Sequence, residues 1–133
     1  MQALRSTLDR NQETIYAITR IVVAFLYGCH GAQKLFGVMG GEKVYGNPLM
    51  VVAGVIEFGC GLLIALGWQT TLAAFIASGE MAVAYFIAHQ PHGFWPIANG
   101  GEKAVFYAFV FLFIAARGAG IWSLDAKSAR RGG

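Results

Sequence analysis

The chain has 133 residues, enough for one domain. Its residues are 56% hydrophobic and 13% charged, against about 25% charged in ordinary soluble domains. So small a soluble protein would lack the polar residues to cover its surface, and a lipid-facing exterior is the simpler reading. Of the formal charge of +3, most sits in Lys127, Arg130 and Arg131, trailing an apolar segment. That placement suits a cytoplasmic anchor near anionic lipid and excludes the broad basic surface of a nucleic-acid binder.

The first residues, MQALRSTLDRNQET, are polar and mixed in charge, without the short apolar core and small-residue site of a cleaved leader. Apolar runs then occupy 15–36, 49–66, 70–88 and 104–122, each close to the ~20 residues a helix needs to cross a bilayer core. Gly37, Gly40 and Gly41 close the first run, and Asn47-Pro48 supplies a cap and a first-turn proline for the second. Gly67 ends the second, with Gln69, Thr70 and Thr71 starting the third after a very short turn. His89-Gln90-Pro91 ends the third, and Asn99-Gly100-Gly101-Glu102 opens the fourth, placing an anion where the helix dipole favours one. Trp68, Trp95 and Trp122 all fall at or beyond span ends, the level amphipathic rings prefer. The expected fold is all-α: a single domain over 1–133, polytopic, built as an antiparallel four-helix transmembrane bundle.

Lys and Arg near the span ends set the expected orientation. Arg5, Arg10, Lys127, Arg130 and Arg131 lie on one side, with Arg117 near it; Lys34, Lys43 and Lys103 lie on the other. The first side is read as cytoplasmic, with both termini inside. The two cysteines, Cys29 and Cys60, are expected at different depths, offset on the order of 10 Å by helix rise, too far apart for a disulfide.

Ionisable residues inside the spans carry the functional signal, because each costs roughly 2.5–3.5 kcal/mol near the bilayer centre. Tyr16, Arg20, Tyr27 and Lys34 recur at steps of four and seven, with His30 beside them, forming one polar stripe on the first helix. Glu57 shares its face with Ala53, Gly54 and Gly61, and Glu80 with Ala73, Ala77 and Ala84, so both glutamates are expected to face neighbouring helices. By depth, Arg20, Glu57, Glu80 and Arg117 form a buried polar cluster towards the cytoplasmic half. His30, Gln33, Lys34, His89, His92, Asn99 and Glu102 form an outer cluster. Two readings of the inner layer stand open: a structural network of two arginines against two glutamates, or a proton relay and ligand site. The outer layer is either interfacial polarity or a small-molecule or metal site at the mouth of the bundle. His89 and His92 without a clear third ligand are weak evidence for metal, and none is assigned. Phe106, Tyr107, Phe109, Phe111 and Phe113 surround the fourth helix and are expected mostly against lipid.

The motifs, in order, resemble a known family. They are Arg20 with the His30-Gly31-Ala32-Gln33-Lys34-Leu35-Phe36 segment; Gly54-Val55-Ile56-Glu57-Phe58-Gly59-Cys60-Gly61-Leu62-Leu63 ending at Leu66-Gly67; Glu80-Met81-Ala82-Val83-Ala84-Tyr85-Phe86; His89; and Asn99-Gly100-Gly101-Glu102. Together they resemble the DoxX family of small bacterial membrane proteins, related to the DoxD-type subunit of thiosulfate:quinone oxidoreductase. The resemblance implies a four-helix protein of the bacterial cytoplasmic membrane belonging to a redox system that uses quinone. No haem CxxCH, iron–sulfur cysteine set or flavin fingerprint occurs in the chain, so no intrinsic cofactor is expected and a redox partner would bring the electrons. The alternatives are a scaffold docking a soluble oxidoreductase through Lys127–Arg131, and a small-solute carrier. The oligomeric state is not legible in the sequence.

Overall fold

A computed structural model of the protein describes residues 1–131 and contains helices with no strand among them; Gly132 and Gly133, at the end of the expected domain, lie outside the described residues. Helix α1 spans Gln2–Phe36, α2 Pro48–Leu66 and α3 Thr70–Ala84. After α3 the chain widens into a π-helical turn, Tyr85–His89, and then tightens into a 3-10 turn, Gln90–His92. Short α4 (Pro96–Asn99), α5 (Glu102–Arg117) and α6 (Leu124–Arg131) follow.

The boundaries follow local chemistry. The Asn47 side chain accepts hydrogen bonds from the Leu49 and Met50 amides at 3.1 and 3.4 Å, and Pro48 opens α2 without losing a helical bond. Gly37 and Gly67 end α1 and α2 in the left-handed conformation. The fourth run departs from expectation: α5 stops at Arg117 rather than continuing to 122. Residues 118–123 turn sharply through positive φ at Gly118, Gly120 and Trp122, and Arg20 collects the carbonyls of Ala119, Ile121 and Trp122. The first helix departs in the other direction, starting at Gln2 instead of Ile15.

The long helices alternate in direction. Gly31 of α1 meets Gly54 and Phe58 of α2, Gly28 meets Gly61, and Arg20 reaches Gly67, so the two helices run antiparallel. Helix α5 is antiparallel to both its neighbours. Ser78 of α3 donates to the Ala108 carbonyl (2.7 Å), Tyr27 packs edge-on to Phe111, and Tyr16 donates to the Gly118 carbonyl at 2.5 Å. Small side chains make these approaches possible, with Ala17, Ala24, Ala74 and Ala77 fully buried. The larger apolar groups point outward instead: Phe25, Phe75, Phe86, Phe106 and Phe109 are each more than 60% exposed. A surface of that kind belongs in lipid.

Three helical segments have the length and apolarity to cross a membrane: Gln2–Phe36, Pro48–Leu66 and Thr70–His92. Helix α5, at 16 residues, is ~24 Å long by helix rise, shorter than the ~30 Å hydrocarbon core. Four packed helices of unequal reach, rather than four equal spans, describe the molecule.

The cysteine expectation needs correction. Contact between Gly28 and Gly61 puts the neighbouring Cys29 and Cys60 at one level rather than ~10 Å apart. They nonetheless remain free thiols, Cys60 in the core and Cys29 on an outer groove with Phe25 and Phe58.

A Cβ on Gly31 would collide with the Phe58 amide nitrogen and sit 2.7 Å from the Gly54 carbonyl oxygen, both rigid backbone. On Gly59 it would meet nothing within 4 Å. Gly31→Ala is therefore expected to lower the unfolding free energy by about 1–3 kcal/mol, seen as a lower unfolding temperature in detergent. Gly59→Ala should leave it unchanged or slightly raised.

Candidate functional site

The antiparallel register of α1 and α2 brings Lys34 beside Glu57. The Lys34 ammonium lies 2.5 Å from both carboxylate oxygens, and Glu57 is 2% exposed. Around this pair opens a cavity of about 320 Å³ between α1, α2, α3 and α5. Glu80 enters it from α3 and accepts a 3.0 Å hydrogen bond from the Tyr27 hydroxyl. His30 lines the same space edge-on to the Tyr107 ring, 6.2 Å between centroids. His89 closes another side, its Nδ1 3.3 Å from the Asn99 carbonyl oxygen, and Lys103 contributes from the first turn of α5.

This arrangement regroups the residues that depth alone had sorted. Glu57 and Glu80 join His30, Lys34 and His89 in one chamber instead of pairing with the arginines. Arg20 and Arg117 lie at the opposite end of the bundle. Arg20 is fully buried; its guanidinium donates to the Ala119 carbonyl, to Ile121 at 3.4 Å and to Trp122 at 2.8 Å. Arg117 pairs with Glu13 and lies 4.0 Å over the Tyr16 ring. The reason lies in helix direction: Arg20 stands nearly four turns before Lys34 on α1, level with Gly67 rather than with Glu57.

Four members of the expected outer cluster lie outside the chamber. Gln33 donates to the Met39 carbonyl at 3.0 Å. The Asn99 side chain donates to the Gly93 carbonyl (2.8 Å) and the Tyr85 hydroxyl (3.3 Å) and accepts from the Gly101 amide. Glu102 is exposed in the first turn of α5, and His92 is exposed in the 3-10 turn. Among the described residues no group of three or more His, Cys, Asp or Glu converges as a metal site would require.

Sequence reasoning missed two aromatic members of the chamber. Tyr27 stood on the polar stripe of α1, and its hydroxyl partner Glu80 was the missing half of that signal. Tyr107 looked like one of many lipid-facing rings. In the structure Phe106, Phe109 and Phe113 do face outward, but Phe111 is buried and stacks with Tyr107 at 5.7 Å. A third missed residue is Asp125, whose carboxylate accepts from the Gln69 and Thr70 amides at 2.9 and 3.0 Å, capping α3 from a distant part of the chain. Burial alone would raise its pKa, but those amide bonds and the nearby Arg20 charge outweigh it, so its carboxyl lies below its ordinary value.

Two outcomes follow from these contacts. Glu57→Leu leaves the Lys34 ammonium without its partner and should cost about 3 kcal/mol of stability, most of it recovered in Lys34→Met/Glu57→Leu; thermal unfolding of the four proteins measures this. Asp125→Ala should cost about 1 kcal/mol near neutral pH. Because the folded pKa is depressed, the carboxylate stabilises the fold above its unfolded value near 4. That contribution is lost as pH falls through the lower folded value, so the gap between wild type and variant narrows in acid.

A family profile described as DoxX matches residues 15–90, which hold α1 from Ile15, all of α2 and α3, and the π-helical turn. An uncharacterized protein of Haemophilus influenzae is 42% identical over 129 residues, covering 92% of this chain and 96% of the relative. An uncharacterized membrane protein of Mycobacterium tuberculosis is 32% identical over 88 residues, covering 59% of this chain and 54% of the relative. No solved structure matches the chain. The matched segment carries Lys34, Glu57, Glu80 and His89 on an apolar helical frame, and the chain belongs to the DoxX family of membrane proteins.

Proposed function

We propose that this protein is the quinone-linked membrane subunit of a redox system in a bacterial cytoplasmic membrane, with both termini inside and the Lys34–Glu57 chamber as its quinone site. The observation that carries the reading is the chamber itself: two carboxylates, an ammonium and a phenol gathered inside an apolar bundle, where such groups are costly unless used. Its volume of about 320 Å³ is near the lower end of small-molecule pockets, a size suited to a ring rather than to a whole isoprenoid molecule. Tyr27 and Tyr107 present faces and edges on which a flat ring packs.

Quinone supplies carrier chemistry for two electrons and two protons. Lys34 balances one of the two carboxylates, which leaves Glu80, hydrogen-bonded to Tyr27, as the group placed to take up or hand on a proton. His30 and His89, at the same chamber, offer hydrogen-bonding nitrogens towards the outer side. Electrons come from a partner redox protein, since the chain carries no haem, iron–sulfur or flavin motif.

Glu80→Gln tests the proton role with little change of shape, because the amide oxygen still accepts from Tyr27. Gentle purification with native lipids and extraction should recover quinone in stoichiometric amount from wild type and lose most of it in Glu57→Gln/Glu80→Gln. Glu80→Gln alone should lower quinone-dependent turnover in the assembled system by 10²–10⁴-fold, the usual scale of acid–base catalysis. Wild type without quinone, or turnover unmoved in Glu80→Gln, would reject this assignment. A scaffold role is favoured instead by α6, an exposed helix whose last turn carries Arg130 and Arg131. On that reading, removing Lys127–Arg131 releases a soluble oxidoreductase that otherwise co-purifies.

A further inference from the structure

Helix α1 is 35 residues long, far more than a span requires. Glu13, paired with Arg117, is the most N-terminal residue of α1 that bonds to another element among the described residues. The turns before it project on the order of 16 Å past the bundle. On that projection Leu4 and Leu8 are 66% and 49% exposed. Two leucines left exposed on a helix face beyond the last contact with the bundle call for a cover, and their spacing says which.

Leu4, Leu8, Asn11, Ile15, Ile18, Val22 and Phe25 follow one another at alternating steps of four and three. The six apolar members are 44–66% exposed, and Asn11 is exposed as well. The face turned inward repeats every seven residues too: Glu13, Arg20, Tyr27 and Lys34 all bond to other parts of the chain. The outer seam is therefore a second, separate line with the a/d spacing of a coiled coil. Lipid contact explains Ile18 to Phe25 without any such spacing, but it does not explain why the line continues in register through Leu8 and Leu4, past the last contact of α1 with the bundle.

We propose that two copies of this chain pair in parallel along α1, the seam of one packing into the seam of the other and Asn11 meeting its counterpart at the two-fold axis. The occupant is a second copy because copies inserted the same way in a membrane are parallel, the relation in which like heptad positions face each other. Flanking positions agree with self-pairing: Thr7, Gln12, Thr14 and Thr19 are uncharged, and Arg5 is already matched by Asp9 on its own helix at 3.9 Å. No like charges are brought together. Six side chains roughly half exposed on each copy present on the order of 600 Å², so pairing removes about 1,200 Å², the lower end of specific interfaces. Asn11 is the one polar residue of the seam, and only in register does its amide meet its counterpart, at some loss of stability. This inference is independent of the quinone reading, because the seam lies on the opposite face of α1 from the chamber.

Cysteine cross-linking of the full chain in isolated membranes tests it. Leu8→Cys, on the seam, should give a disulfide-linked band of twice the chain mass at least about fivefold stronger than Ser6→Cys, on the far side of the same turn. The unsubstituted chain, with only Cys29 and Cys60, sets the background. Native mass measurement in detergent should find a dimer that becomes a monomer in Leu4→Glu/Leu8→Glu, while the unfolding temperature of the bundle stays unchanged. Equal cross-linking at positions 6 and 8, a monomer mass for the unsubstituted chain, or a dimer that survives both glutamates would each overturn the proposal.

Discussion

Everything at the chamber depends on how closely α1 and α2 approach. Gly31 lies against the Gly54 carbonyl and the Phe58 backbone, and Gly28 against Gly61; no side chain separates the two helices at these points. In lipid there is no hydrophobic force to draw helices together, so backbone contact through small residues supplies the attraction. The same contact fixes the vertical register, and the register decides which charges meet. With it, the Lys34 ammonium reaches Glu57; displaced by one turn, a nearly fully buried carboxylate would lose that partner.

The two ends of the bundle use charge for different ends. At the Arg20 end, a buried guanidinium gathers carbonyls that the irregular 118–123 segment would otherwise leave unpaired, and Asp125 closes the first turn of α3. At the Lys34 end, one cation faces two carboxylates around open space. The inner arginines and glutamates thus do not form the one network the sequence suggested: the arginines bond at one end of the bundle and the glutamates at the other.

Much of this was legible before any coordinates. Glycines, Asn47-Pro48 and the tryptophans mark helix ends by local rules, and a helix carrying Tyr27 and Lys34 at seven-residue spacing has to present them on one side. The family motifs added the frame, and the profile match agrees with it. What remained hidden was pairing across helices. Nothing in the spacing of Arg20 says that its partners are backbone carbonyls a hundred residues later, and depth counted from span ends cannot decide between Lys34 and Arg20 as the partner of Glu57. The fourth helix was overextended for a related reason: residues 118–122 are apolar enough to continue it, and only the glycine conformations and the Arg20 contacts end it.

The π-helical turn at Tyr85–His89 bears on how the chamber's far wall is made. Nine residues of ordinary α-helix separate two side chains by about 180° around the axis, which would aim His89 away from Glu80. In this turn the Gln90 amide bonds back five residues, to the Tyr85 carbonyl, and the wider winding retards the helical phase. His89 thereby swings onto the side of α3 that faces the chamber. Such a turn is one residue longer than the α-helical turn it replaces, so its phase is set by length as well as by composition. In a related chain one residue shorter between Glu80 and this histidine, an ordinary α-helical turn would bring the ring to the same side of the helix, so the wide turn and the extra residue are two halves of one change.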